Sequence, residues 1–367
     1  MQTINLLNEL LRFKSITPND DGALNYIAMF MDEFEAHNVE ENGVKNLILT
    51  RRFGDGEHLC FAGHIDVVPP GDGWESDPFN PTQKDGYIYA RGAQDMKAGL
   101  AAMLIACKNA CAHSSFDGTL SIVITSDEEG DATHGTKSAL TYMQKQGILP
   151  QYALVGEPTC SASFGDTIKV GRRGSINGIL TIKGKQGHAA YPQNCINPAH
   201  ALARVFSEFA GHDLDEGDKR FAPSKIVITD IRGGMEVCNV TPERVRVMFN
   251  VRNSPLSDEN DLRKYIQRVF EGIDYELELK VSSKPFITDT NSKIVRTLLD
   301  AVEKECLMAA QLSTSGGTSD ARFFAAAGVN VAEFGVLNDT IHKVNERVEI
   351  EQVKKLARIY YDLIERF

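Results

Sequence analysis

Nowhere does the chain approach the roughly eighteen consecutive apolar residues that a membrane-spanning helix needs, which argues against an integral membrane protein. The opening MQTINLLNELLRF also lacks the charged segment, apolar core and small-residue cleavage site of a secretory signal. It reads instead as an amphipathic helix, and a cytoplasmic location is the expectation. Cysteine is sparse and scattered: there are 7, with no C-x-x-C pair, so neither a disulfide framework nor a thiolate zinc knot is indicated. Cys107 and Cys111 share a helix face and read as buried thiols. Positive charge is short as well. The net charge is −11, spread along the chain, which opposes nucleic acid as a partner because phosphate contacts need a basic face. An anionic substrate would need a local cluster of Arg or Lys. No H-E-x-x-H, P-loop or G-x-G-x-x-G motif is found.

What is present is a series of apolar runs ending in metal-type ligands. A length of 367 residues favours two domains over one core. Ala23 to Glu35 reads as a second amphipathic helix, Asn46 to Arg51 as a short strand, and Gly71 to Tyr89 as a turn-rich loop. The run LCFAGHIDVVPP ends in His64 and Asp66, two residues apart and so on one face of a strand. In RGAQDMKAGLAAMLIACKNA, Asp95 falls where a loop becomes a helix, an N-cap position. Strand Thr119 to Thr125 leads into SDEEG with Glu128 and Glu129, and strand Tyr152 to Val155 into Glu157. Singly these read as a polar turn, a helix cap and a solvated acidic loop. Strands alternating with helices imply a mostly parallel sheet, whose ligands bind outside the carboxyl ends of the strands. One rim would then collect five carboxylates and a histidine, too much charge to hold without cations. Carboxylates mixed with imidazole point to zinc, manganese or cobalt.

The pattern changes after GRRGS. Strands and helices then follow in the order β-α-β-β-α-β, a ferredoxin-like unit, over residues 174–286. The expectation is an α/β catalytic domain from residues 1–173 and 287–367, with a mixed, mostly parallel sheet flanked by helices, and this smaller domain inserted into it. The insert has a sheet edge and a helical face that can pair with a second copy. Arg172 and Arg173 at the junction are suited to grip a carboxylate. Near the end, Gly317, Ser319 and Ala321 approach a nucleophile elbow, but LSTSG is a poor preceding strand. The turn's amides suit a substrate carboxylate better. His342, after the strand Val329 to Phe334, brings a second imidazole to the same rim.

The whole set resembles the co-catalytic zinc amidohydrolases, a family that includes aminoacylase and glutamate carboxypeptidase. The likeness runs through HIDVVPPGD, RGAQDMKAG, ITSDEEG, VGEP, GRRGS, QGHAAYP, SGGTSDARF and NDTIHKVNE. It implies two Zn²⁺ ions, one replaceable by Co²⁺ or Mn²⁺. His64 and Glu157 would bind one, Glu129 and His342 the other, and Asp95 both. Asp66 would orient His64, and Glu128 would be the general base. The resemblance further implies a homodimer formed through the inserted domain, with His188 reaching the partner's active site. Arg172, Ser175, Tyr191, Asn239, Gly317, Thr318 and Asn338 match positions that hold substrate. Gln94 departs from the family pattern, where a smaller residue is usual. The implied reaction is hydrolysis of an N-acyl amide on a small anionic amino acid, with a deacetylase or dipeptidase as the nearest alternative. A non-enzymatic metal-binding protein and a two-metal phosphoesterase are more distant readings.

Overall fold

The structure, a computed structural model, describes residues 2–367. They divide into two compact units, one formed by residues up to Val170 with Ile287–Ser313 and Ser319–Phe367, the other by Gly171–Phe286 and Thr314–Thr318. The second unit thus takes in Gly171 to Arg173 and a short turn near Thr318 besides the residues expected of an insert.

The larger unit is built on an 8-stranded sheet in the order Glu35–Glu41, Val44–Arg52, Thr119–Thr125, His58–His64, Tyr152–Val155, Asn330–Glu333, Thr167–Lys169, Gln311–Ser313. Four central strands, Thr119–Thr125 through Asn330–Glu333, run parallel; the first two pair antiparallel. The central strand His58–His64 is buried along its whole length, as a strand covered on both faces must be. Helix Ala98–His113 is apolar on nearly every side and lies within the core. Its start comes close to the sheet because Gly99 has no side chain: a Cβ there would sit 2.1 Å from the Gly156 carbonyl oxygen. Tyr360 of helix Ile350–Glu365 packs its ring 5.5 Å from that of Phe61, and both are fully buried.

Two local expectations are corrected. The second helix stops at Phe30, and Glu35–Glu41 is an edge strand. Its seven residues are largely exposed, so no apolar alternation marks it; pairing with Val44–Arg52 holds it in place. The turn-rich stretch before Tyr89 contains two short strands, Thr82–Lys84 and Tyr87–Tyr89, that form a small sheet with Arg347–Glu349.

In the second unit four antiparallel strands follow the order Lys225–Gly233, Arg244–Arg252, Ser175–Lys183, Tyr275–Ser283. Val245, Val247, Phe249 and Val251 alternate inward and pack with Leu262 and Ile266 of helix Glu259–Val269. Gly178 leaves the space that the Phe249 ring fills. Both helices start on side-chain caps, Asn197 for Pro198–Phe209 and a reciprocal Asp258–Asp261 capping box for Glu259–Val269. Among the described residues no helix is long and apolar enough to cross a membrane.

The Phe61–Tyr360 contact joins the central strand to the last helix. Phe61→Ala is expected to cost about 3–5 kcal/mol in the unfolding transition of the larger unit, the usual range for emptying a buried aromatic site. Denaturant titration checks this; a change below about 1 kcal/mol would show that the site collapses around the truncation.

Candidate metal centre

The parallel strands end side by side, and this sets the site. His64 is the last residue of its strand and lies opposite Thr125 of the neighbouring one. Ser126 to Glu129 continue from Thr125, and Glu157 follows Val155 by two residues. A parallel sheet brings such carboxyl-terminal turns to one rim by construction.

His64 is buried, and its Nδ1 lies 2.8 Å from the main-chain carbonyl oxygen of Asp66. A carbonyl can only accept, so Nδ1 carries a proton, and Nε2 is the nitrogen left to face a metal once its own proton is displaced. The Asp66 carboxylate stands farther from Nδ1, at 3.5 Å. It accepts instead the amides of Glu128 (3.3 Å) and Glu129 (3.0 Å). Asp66 therefore steers His64 through its backbone and the two glutamates through its side chain.

Asp95 corrects the helix-cap expectation. It lies in the irregular turn Ala93–Lys97 with φ −114° and ψ 99°, and the helix proper begins at Ala98 with no side-chain cap bond. Its two oxygens face different imidazoles, Oδ1 3.2 Å from His64 Nε2 and Oδ2 3.4 Å from His342 Nε2. His342, at φ 58° on an exposed loop, also lies 3.0 Å from Glu129 Oε1. Glu157 Oε1 is 3.7 Å from His64 Nε2. Donor atoms of His64, Asp95 and Glu129 lie within 4.8 Å of one another, as do those of His64, Glu128 and Glu157.

The protonation tendencies show what the cluster lacks. Burial alone would lower His64, but the hydrogen bond to Asp95 and the charges of Glu157, Asp66 and Glu128 hold it well above its ordinary value. Hydrogen bonds to Asp95 and Glu129 raise His342 to about 10. Burial first, then neighbouring carboxylates, push Glu128 and Glu157 well above the usual carboxylate range. Asp95 is also buried, yet its two imidazole partners hold it below that range. The site draws in protons because it is short of positive charge. Carboxylate and imidazole donors in this arrangement fit divalent cations.

The expected substrate residues fall into two groups. In the second unit, Arg172 is buried and donates to the Ser315 carbonyl (3.2 Å), which brings it to the turn that holds Gly317 and Thr318. Ser175 is buried and accepts from Asn250. His188, Tyr191 and Asn239 meet at an exposed corner: Ala189 donates to the Asn239 carbonyl, and the rings of His188 and Tyr191 are 5.7 Å apart. Asn338 belongs to the larger unit, its amide bonded to the Cys160 carbonyl. Ser319 is buried and donates to the Glu333 carboxylate (2.8 Å), and the strand before it does form, at Gln311–Ser313. Arg252 escaped the sequence reading. It ends the strand Arg244–Arg252, and burial together with the charge of Arg173 lowers its proton affinity. The Nε of Arg173 is buried without an acceptor. The only trace in the sequence was an arginine closing an alternating strand.

The profile of Peptidase family M20/M25/M40 matches residues 60–366. Over 367 residues, all of both chains, the sequence is 56% identical to a curated protein of a Nitratiruptor species named succinyl-diaminopimelate desuccinylase. A protein of the same name from Nautilia profundicola is 55% identical, again over the full length of both. Among solved structures, aminopeptidase PepT from Bacillus cereus superposes with a TM-score of 0.82 at 23% identity, over 100% of this chain and 98% of that one. The YXEP protein of Bacillus subtilis, described as a dinuclear metal binding peptidase from the M20 family, gives 0.75 at 16% identity, over 99% and 96%. These two share the fold. On the profile match and the full-length identity together, the chain belongs to peptidase family M20/M25/M40.

Proposed function

We propose that this chain hydrolyses N-succinyl-LL-2,6-diaminopimelate to succinate and LL-2,6-diaminopimelate with the help of two divalent metal ions, zinc foremost. The observation that carries the reading is the identity of 56% along the whole of both chains with a relative named for that reaction. The site supports it chemically. His64 and Glu157 would hold one ion, Glu129 and His342 the other, and Asp95 both. When bound, such a pair lowers the pKa of water towards about 7 and polarises the scissile carbonyl.

The chain's own residues supply the proton transfers. Glu128 takes a proton from the attacking water and hands it to the departing amine, so the C–N bond breaks with the nitrogen leaving as a neutral amine. Asp66 keeps Glu128 in place through the main-chain amide. In the second unit Arg172, Arg173 and Arg252, with Ser175 and the Gly317–Thr318 turn, offer cationic and hydrogen-bonding partners for the carboxylates of a multiply anionic substrate. His188, Tyr191, Asn239 and Asn338 are the further residues proposed to contact substrate. We also propose that the chain pairs through the second unit and works in the cytoplasm, with His188 steadying the developing oxyanion in the partner's site.

Parallel assays of N-succinyl-LL-diaminopimelate, N-acetylornithine and a dipeptide should give a kcat/KM on the order of 10²-fold or more in favour of the succinyl amide. An equal or faster rate on acetylornithine would sink the substrate assignment. Glu128→Gln should lower kcat by on the order of 10²–10⁴ and leave the bound metal unchanged. Metal analysis beside turnover reads both; full metal with near-normal turnover removes Glu128 from the role. Mixing inactive His188→Ala with inactive His64→Ala should restore about a quarter of wild-type activity, because half the random dimers carry one intact composite site. No gain on mixing, with subunit exchange demonstrated, rules out action in trans.

A further inference from the structure

The two loops that bring Asp95 and His342 together lie about two-thirds of the chain apart in sequence, and neither is regular. Asp95 sits at non-helical dihedrals and His342 in the left-handed region, so local backbone preference positions neither. Two buried side chains hold them, and each reaches from one loop to the main chain of the other.

Glu346, from the His342 loop, crosses to the Asp95 loop. Its Oε1 accepts the amides of Gln94 (2.8 Å) and Asp95 (3.1 Å). Its Oε2 accepts the Gly92 amide (2.9 Å) and the Arg91 guanidinium (2.7 Å). Gln94 crosses in the other direction. Its Nε2 donates to Asp339 Oδ1 (2.5 Å), and its Oε1 accepts both the amide (2.8 Å) and the hydroxyl (2.9 Å) of Thr340. Thr340 Oγ1 in turn accepts the Arg347 amide (3.1 Å), which closes the base of the loop that displays His342. The orientation of the Gln94 amide follows from its partners: a carboxylate can take only the NH₂ end, and a backbone N–H only the oxygen. Gln94 is 3% exposed, so its own end of these bonds is shielded from water, although Asp339 is exposed and Thr340 half-buried.

We propose that Gln94 is a positioning residue for the metal position shared by Asp95, Glu129 and His342, and that it acts by fixing the His342 loop. This rests on the metal-centre reading above. The asymmetry of the site gives the proposal its direction. His64 stands on a buried strand and is held by its own Asp66 carbonyl, independently of Gln94. His342 stands on an exposed loop, with half of its side chain open to solvent, and the Thr340 backbone two residues away is what Gln94 grips. Losing the grip releases one imidazole and leaves the other in place.

The test is a stepwise Zn²⁺ titration of the metal-free protein against a chromophoric chelator, which needs no turnover. Gln94→Ala should weaken one of two binding steps by about 10–100-fold, the usual cost of removing a residue that orients a ligand. The weakened step should be the one that His342→Ala abolishes, and the step abolished by His64→Ala should hold. Q94E keeps acceptors for Thr340 but sets a carboxylate against Asp339, so it should also weaken that step. Adding D339N to Q94E supplies a donor in the reverse direction and should recover it, a rescue that loss of bulk packing would not produce. Should Q94A fail to fold, the Q94E and Q94E/D339N comparison decides alone. Two unaltered steps in a folded Q94A, equal weakening of both steps, or no recovery in the double variant each overturn the proposal. A wild-type protein that binds fewer than two ions would overturn the two-metal reading instead.

Discussion

Like charges brought to one edge of a sheet repel, and the larger unit is arranged around that repulsion. The parallel strands and the turns after them deliver Asp66, Glu128, Glu129 and Glu157 to the same rim, with Asp95 beside them. Nothing in the burial of Glu128 or Glu157 favours their charged forms, and their proton affinities rise accordingly. The imidazoles shift in the same direction and hold their protons more tightly than free histidine does. A cluster that raises its acids and its bases together is asking for cations. Bound cations would displace those protons and let the carboxylates ionise, so metal affinity in such a site is tied to pH.

The same repulsion explains why the supporting bonds run through main-chain amides. A carboxylate held by N–H groups is fixed without a countercharge being spent on it. Asp66 takes the amides of Glu128 and Glu129, and Glu346 takes those of Gly92, Gln94 and Asp95. Glu346 also has an arginine partner. Arg91 pairs with it at 2.7 Å, donates to the Pro70 carbonyl and stacks under the Trp74 ring. Both members of the pair are almost wholly buried, where breaking it by removing one partner would strand a charge.

Much of this was legible in the chain because it rests on strand ends. An apolar run followed by a ligand-type residue places that residue on the rim, as with His64 and Glu157, whatever else surrounds it. What could not be read depended on partners far away in sequence. Asp95 looked like a helix cap because only its near neighbours were visible, whereas its geometry is set by Glu346, some 250 residues on. Glu35–Glu41 has no apolar face to betray a strand; its existence depends on Val44–Arg52 alongside it. Arg252 is one more arginine on an alternating strand until folding sets it near Arg173.

Gln94 belongs to that second class. In a sequence it is a larger side chain beside a ligand, with no visible reason. In the fold its length is what matters: the amide must span from the Asp95 loop to both Asp339 and Thr340. A smaller residue would leave the half-buried Thr340 amide to find another acceptor, a protein group or water. The loop would then settle wherever that amide could be satisfied, and His342 would travel with it. On the proposal made above, the placement of His342 is decided by hydrogen-bond satisfaction two residues earlier, and the proposed metal position would take its precision from a neutral amide.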